Sequence, residues 1–303
     1  MHDIIIIGGG PAGLTAATYA CRAGKSVLVI EKNAFGGQIT WSPRVENFPG
    51  FVSVSGVELG DKLLEQAMAQ GAEVELDEVT AVTVEDGVKR VACLSGAVFE
   101  SRALIVAVGA RPRPLGVARE EELVGSGVGY CAVCDGAFYA DRPVAVCGGG
   151  SSALQDALLL SETCSRVTLI HRRDSFRGDD ASVARLREKA NVEFVYNSTV
   201  TKLNAEKRLK SIEVTNKLDG SVRTIELNGL FVAVGRVPEN QNFADIVDLD
   251  AAGYIPAGED CHTSAPGIFV AGDNRAKALR QLVTATADGA MAATEAVKYI
   301  NEL

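Results

Sequence analysis

Two glycine-rich turns, each set between an apolar strand and a helix, and a repeated strand ending in Gly, Arg and Pro predict an α/β protein of two nucleotide-binding domains, one inserted into the other. Residues 3–7 read as a buried parallel strand, 12–23 as a helix ended by Gly24, and 26–30 as a second strand. Residues 143–147, 152–161 and 166–170 repeat the pattern. The turns are GGGPAG at 8–13 and GGGSSA at 148–153. Such glycine runs are informative only in this strand–turn–helix context. There they let the backbone approach a pyrophosphate, while the helix N-terminus offers N–H groups and positive potential. Both units are therefore Rossmann-like, with a three-layer ββα architecture.

The second repeat is LIVAVGARP at 104–112 and LFVAVGRVP at 230–238. Proline stops a strand and fixes the path of exit, so both segments mark places where the chain leaves one domain for the other. This assigns 1–113 and 243–303 to the first domain and 114–242 to the inserted one. Residues 73–76, 79–84 and 222–227 are β-rich, and 57–70 form an amphipathic helix stopped by Gly71. A strand at 268–270 and a helix from about Leu279 to Ile300 complete the first domain.

Composition narrows the function classes. The chain has 303 residues, 47% hydrophobic and 23% charged, as expected of a globular protein. Its net charge of −9, with no basic run, argues against nucleic acid as a partner. No apolar run is long enough to span a bilayer. Ile4 to Ile7 run straight into glycines, which marks a buried strand rather than a signal peptide. The seven cysteines are odd in number and include one CxxC pair, which points away from a disulfide framework and towards the cytoplasm. No metal site is expected, because His2, His171 and His262 supply no second ligand pair.

The two turns differ in charge. Glu31 follows Gly8 at the same offset at which His171 follows Gly148. A carboxylate there accepts hydrogen bonds from ribose hydroxyls and repels a 2′-phosphate. His171, Arg172 and Arg173, with Arg177 beyond them, instead offer a cationic pocket of phosphate-binding geometry. The second cradle is therefore expected to take NADP(H), and the first a nucleotide without the extra phosphate. The plainer alternatives are a solvated arginine cluster and a strand-end acid. Neither explains the matched offset.

Cys131-Ala-Val-Cys134-Asp135 lies just upstream of the second cradle. Two cysteines can be a small buried apolar pair, but CxxC spacing permits a short, reducible disulfide. Asp135 is either a proton donor to a leaving thiolate or a cap or turn residue. NADPH delivers hydride, whereas a disulfide takes up electrons and protons separately. A flavin bridges the two, so the first cradle is assigned to FAD. Gly272-Asp273 is either a carboxylate for the flavin's sugar-like chain or a plain turn.

GGGPAG, GGQ at 36–38, VENFPG at 45–50, CAVCDG at 131–136, GGGSSA, HRRDSFR at 171–177, AGD at 271–273 and RQL at 280–282 occur together and in order. Over essentially its full length the chain resembles the low-molecular-weight, bacterial-type thioredoxin reductases. That resemblance implies an FAD domain interrupted by an NADPH domain, and a homodimer. For FAD it implies contacts at Gly8, Gly10, Pro11, Ala12 and Gly13 in the turn, and at Glu31 and Lys32 after the second strand. Gly37, Gln38 and Asn47 join them, as do Gly272, Asp273, Arg280, Gln281 and Leu282 near the C-terminus. For NADPH it implies Gly148, Gly150, Ser151, Ser152 and Ala153, with His171, Arg172, Arg173 and Arg177. By the same resemblance Cys134 lies against the flavin, Cys131 exchanges transiently with thioredoxin, and Asp135 is the proton donor. The resemblance also implies rotation of the NADPH domain about the Gly-Arg-Pro exits between half-reactions. Val133 stands where the family often has Thr.

The expected activity is thus NADPH-dependent reduction of a thioredoxin disulfide. A reductase of the same build could serve another redoxin or draw on ferredoxin, although relatives that use ferredoxin lose the arginine motif kept here. A flavin-binding redox sensor that is not an enzyme would not need those arginines.

Overall fold

The structure, a computed structural model, describes residues 1–303 apart from Pro43. The chain divides into two compact units, Met1–Arg111 with Val237–Leu303, and Pro112–Arg236. The junctions therefore fall within the Gly-Arg-Pro exits, not after Arg113 and Asn242. The reason is local. Ala110–Pro112 and Arg236–Pro238 pair as a two-stranded sheet. The residues that follow are already fastened into the first unit: Asn240 donates to Gly253 O and Asn274 O, each at 2.9 Å, and Asn242 to Val79 O at 3.0 Å.

In the first unit, strands Glu73–Leu76, Val27–Glu31, His2–Ile7 and Val98–Val106 lie side by side in parallel. Val98–Val106 serves two neighbours. Its first half pairs antiparallel with Val88–Cys93, and its second half pairs parallel with Ile268–Val270. Strict alternation decides what covers each face. Ile4, Ile6, Val27, Val29, Ala103 and Ile105 pack under helices Pro11–Arg22 and Leu282–Asn301. Ile5, Ile7, Leu28, Ile30, Leu104 and Val106 pack under the antiparallel strands through Val79, Val82, Val91 and Cys93. The result is the expected β–β–α sandwich.

The second unit repeats this logic. Strands Val192–Val195, Arg166–Ile170, Pro143–Gly148, Gly229–Ala233 and Val128–Gly129 form a parallel sheet. Val144, Val146, Val167 and Leu169 face helix Ser151–Ser161. Ala145, Cys147, Leu230 and Val232 face the antiparallel strands Ser198–Ala205, Leu209–Asn216 and Val222–Glu226. Among the described residues, no helix is long and apolar enough to cross a membrane.

The C-terminal helix begins at Leu282 rather than near Leu279. A reciprocal capping box between Gln281 and Thr284 starts it there, which frees Arg280 and Gln281 from the helix. Within this apolar helix sits one buried acid, Asp288. It accepts a bidentate pair from Arg275 at 3.1 and 2.9 Å, a bond from Lys277 at 2.8 Å, and the Gly272 N–H at 3.0 Å. Burial would raise its pKa, but the bonds from Arg275 and Lys277 outweigh burial and hold it below the ordinary carboxylate range.

Removing one partner of a buried ion pair leaves the other charges stranded, at a cost of about 3–5 kcal/mol. Asp288→Ala should therefore lower the urea midpoint of the first unit by a corresponding amount. A midpoint within error of the parent chain would show that this cluster does not hold the segment after Ile268–Val270 in place.

Candidate active site and nucleotide cradles

The first cradle forms where strand His2–Ile7 turns into helix Pro11–Arg22. Gly8 has φ 109°, and a Cβ on Gly13 would stand 1.9 Å from Gly8 O, so this approach admits only glycine. Gly10 caps the helix without a side-chain acceptor and Pro11 opens it, so no side chain caps its first turn. Ala12 is buried beneath the turn. Glu31 reaches back to the turn: its Oε2 accepts the Gly9 N–H at 2.7 Å, and its Oε1 accepts the Asn33 N–H at 2.9 Å. Lys32 points elsewhere, into an ion pair with Glu239 at 3.1 Å.

Other parts of the first unit converge on this turn. Gly37 comes so close that a Cβ on it would lie 3.0 Å from the Gly10 Cα. Gln38 follows, with Nε2 donating to Ala110 O at 3.2 Å. Gly272 lies on the Ala12 side, where its Cβ would stand 3.0 Å from the Ala12 Cβ, and Asp273 comes next. Arg280 donates to Asp273 O at 3.2 Å and lays its guanidinium 4.1 Å from the centroid of Tyr254. Asn47 donates to Gln281 Oε1 at 3.3 Å, and Leu282 packs against the Val45, Val54 and Leu59 cluster. All the residues expected to meet FAD thus lie in one unit, with Lys32 committed to Glu239.

The second cradle follows strand Pro143–Gly148, and Gly150 caps helix Ser151–Ser161, again with no side-chain acceptor. Ser151 and Ser152 are exposed at its mouth, whereas Ala153 is fully buried. His171 differs from expectation. Its ring is buried at 5% exposure, stacks on Phe176 at 5.4 Å, and lies so near Gly149 that a Cβ there would meet it at 2.1 Å. Burial lowers its pKa, and the charges of Arg173, Arg177 and Arg172 push the same way. The imidazole is therefore a neutral wedge behind the turn, with Nε2 buried and unpaired. The positive surface belongs to Arg172, Arg173 and Arg177, which are exposed around it. Arg177 is fastened by its N–H to Gly149 O at 2.7 Å.

Cys131 and Cys134 are joined as a disulfide, with Cα atoms 5.3 Å apart. Cys131 caps the short helix Ala132–Asp135, and its Sγ accepts the Cys134 N–H at 3.2 Å. Both cysteines are half-buried, and Val133 between them is exposed. The other cysteines, at 21, 93, 147, 164 and 261, are free thiols. The capping alternative for Asp135 does not hold, since its side chain caps neither this helix nor the 3-10 turn Gly136–Tyr139. Burial instead pushes its carboxyl up to about 6. That is the range of an acid able to give and take a proton near neutrality.

Two contributors were not singled out from the sequence. Asn274 is fully buried, donates to Val106 O at 3.1 Å and accepts the Gly109 N–H at 3.4 Å, so it ties the segment beside Asp273 to the end of the central strand. Asp288 holds Gly272 in the same way. A lone acid in the apolar stretch 285–293 was the available signal for Asp288. Asn274 had none beyond adjacency to Asp273.

Comparison with known proteins agrees with this arrangement. Residues 2–289 match the family model described as pyridine nucleotide-disulphide oxidoreductase. The chain is 43% identical to a thioredoxin reductase of Listeria innocua, over 100% of this chain and 95% of that protein. It is 39% identical to the thioredoxin reductase of Bacillus subtilis, over 100% and 96%. The crystal structure of thioredoxin reductase from Streptococcus pyogenes superposes with a TM-score of 0.93 at 37% identity, covering 100% of this chain and 99% of that one. The chain is an oxidoreductase that belongs to the pyridine nucleotide-disulphide oxidoreductases and, among them, to the thioredoxin reductase family.

Proposed function

We propose that the protein reduces the disulfide of a thioredoxin at the expense of NADPH, with FAD in the first cradle and NADPH in the second. The observation that carries this reading is the Cys131–Cys134 disulfide standing in the same unit as a glycine turn to which Arg177 is bonded through its backbone N–H, with Arg172, Arg173 and Arg177 exposed. The residues fit both cofactors. Each helix start is capped by a glycine with no side-chain acceptor, one beside an acid suited to ribose and the other beside arginines suited to a 2′-phosphate. Bound in the first cradle, FAD would supply the chemistry that links a hydride donor to a disulfide, hydride acceptance and electron delivery to sulfur.

The remaining chemistry belongs to this chain. Two electrons and two protons convert the Cys131–Cys134 disulfide into two thiols, with Asp135 as the acid that protonates the leaving thiolate. Cys131 then gives up its proton and its thiolate attacks the partner disulfide, forming a mixed disulfide and releasing one partner thiolate, which takes up a proton. Cys134 likewise gives up its proton and attacks the Cys131 sulfur, restoring the internal disulfide and releasing the second partner thiolate, which takes up the other proton. Roles for the two cysteines follow from the family resemblance. The chain crosses between units only at Ala110–Pro112 and Arg236–Pro238, so any reorientation between half-reactions must turn there. Five free thiols suit a cytoplasmic enzyme. A homodimer is the assembly the resemblance implies.

Replacing Arg172 and Arg173 with neutral residues should cost about 1–3 kcal/mol per phosphate contact, seen as a rise in KM for NADPH with KM for NADH unchanged. Steady-state kinetics with both nucleotides decides this, and an undiminished preference for NADPH would remove the assignment of the second cradle.

Asp135 is protonated below a pH of about 6 and ionised above it. As an acid it should make single-turnover reduction of the disulfide slow down as pH rises through that value. Asp135→Asn should abolish the inflection and lower the rate by about 100-fold. An unchanged pH profile in the variant would rule out this role.

A further inference from the structure

Glu120 is a buried carboxylate that neither cradle uses. It is 3% exposed, yet its hydrogen-bonding partners are neutral donors. Oε1 accepts the Leu115 N–H and the Tyr130 O–H, and Oε2 accepts the Gly116 N–H, all at 2.9 Å. Taking a carboxylate out of water costs several kcal/mol unless such bonds replace its hydration. A side chain placed at that cost between these particular donors joins two functional segments. Leu115 and Gly116 lie just beyond the Ala110–Pro112 exit, and Tyr130 immediately precedes Cys131.

The surroundings hold Glu120 in this position. Arg119 has φ 67°, a left-handed backbone that turns its own side chain outward to Glu122 and to Ala205 O while Glu120 points inward. Burial raises the Tyr130 pKa, and the hydrogen bond and charge of Glu120 raise it further, so the phenol remains a donor. Burial also raises the Cys147 thiol to about 12, and the nearby charge of Glu120 adds to the effect.

We propose that Glu120 is a positioning residue for the redox pair: through Tyr130 it fixes the backbone that enters Cys131, and through Leu115 and Gly116 it ties that backbone to the exit segment. The need arises on reduction. Once the disulfide opens, its covalent constraint on residues 131–134 is gone. The Tyr130 anchor then keeps the Cys131 sulfur at the distance from which Cys134 can close the bond again. This inference rests on reading Cys131 and Cys134 as the redox pair.

The test uses the FAD-loaded full chain as parent, Tyr130→Phe and Glu120→Gln. Equilibrium of the pair with glutathione is read by alkylation of free thiols and mass measurement. Loss of the anchor lowers the effective concentration of one thiol towards the other. In Tyr130→Phe the equilibrium constant for disulfide formation should fall by about ten-fold, as for one hydrogen bond to a charged group, with a similar fall in kcat for thioredoxin. Ferricyanide reduction, which bypasses the disulfide, should be unchanged. Glu120→Gln should move the same quantities further; if it does not fold, Tyr130→Phe decides. A folded Tyr130→Phe protein with the parent equilibrium constant would overturn the proposal. If the parent itself reduces no thioredoxin, the functional reading fails, and the glutathione equilibrium alone decides the role of Glu120.

Discussion

Both cradles depend on how closely a glycine turn lets a helix start approach the strand before it. In the first unit a Cβ on Gly13 would lie 1.9 Å from Gly8 O, so the helix begins hard against the strand end. In the second unit Ala153 takes the corresponding place and is itself buried, while a Cβ on Gly148 would meet Ala233 O at 2.4 Å and Ala153 at 2.7 Å. The glycine-capped helix starts, with no side chain capping either of them, follow from that approach. So does the position of the residue ending the next strand, which is where the two units part chemically.

Chemical divergence is thus laid over a shared backbone. In the first unit Glu31 turns its carboxylate back onto the Gly9 N–H. In the second, His171 fills the same space with a neutral ring and leaves charge to the arginines outside it. Asp288 and Asp135 show a comparable division. Asp288 is surrounded by cations and works as structure, whereas Asp135 has burial without a compensating cation and is pushed up to about 6, where a proton can move.

Most of the architecture was legible because alternation in strands such as Ile4 to Ile7 says which face each residue serves, and the glycine runs say where the strands end. The cysteine pair and the contrast between Glu31 and the arginines were legible for the same reason, since spacing alone carries them. What was missed depends on contacts distant in sequence. The neutral, wedged state of His171 comes from Gly149 and Phe176. The start of the last helix comes from the Gln281 and Thr284 box. The junction at Arg236 comes from Asn240 and Asn242 bonding into the first unit. Glu120 and Asp288 acquire meaning only when Tyr130 and Gly272 are brought to them.

The most direct measurement is an anaerobic NADPH titration of the FAD-loaded protein, followed by addition of oxidised thioredoxin, in the parent and in Cys134→Ser. The relay described above requires the flavin absorbance to bleach in both proteins and to recover on adding thioredoxin in the parent alone. Failure of NADPH to bleach the parent, or equal recovery in Cys134→Ser, would contradict it.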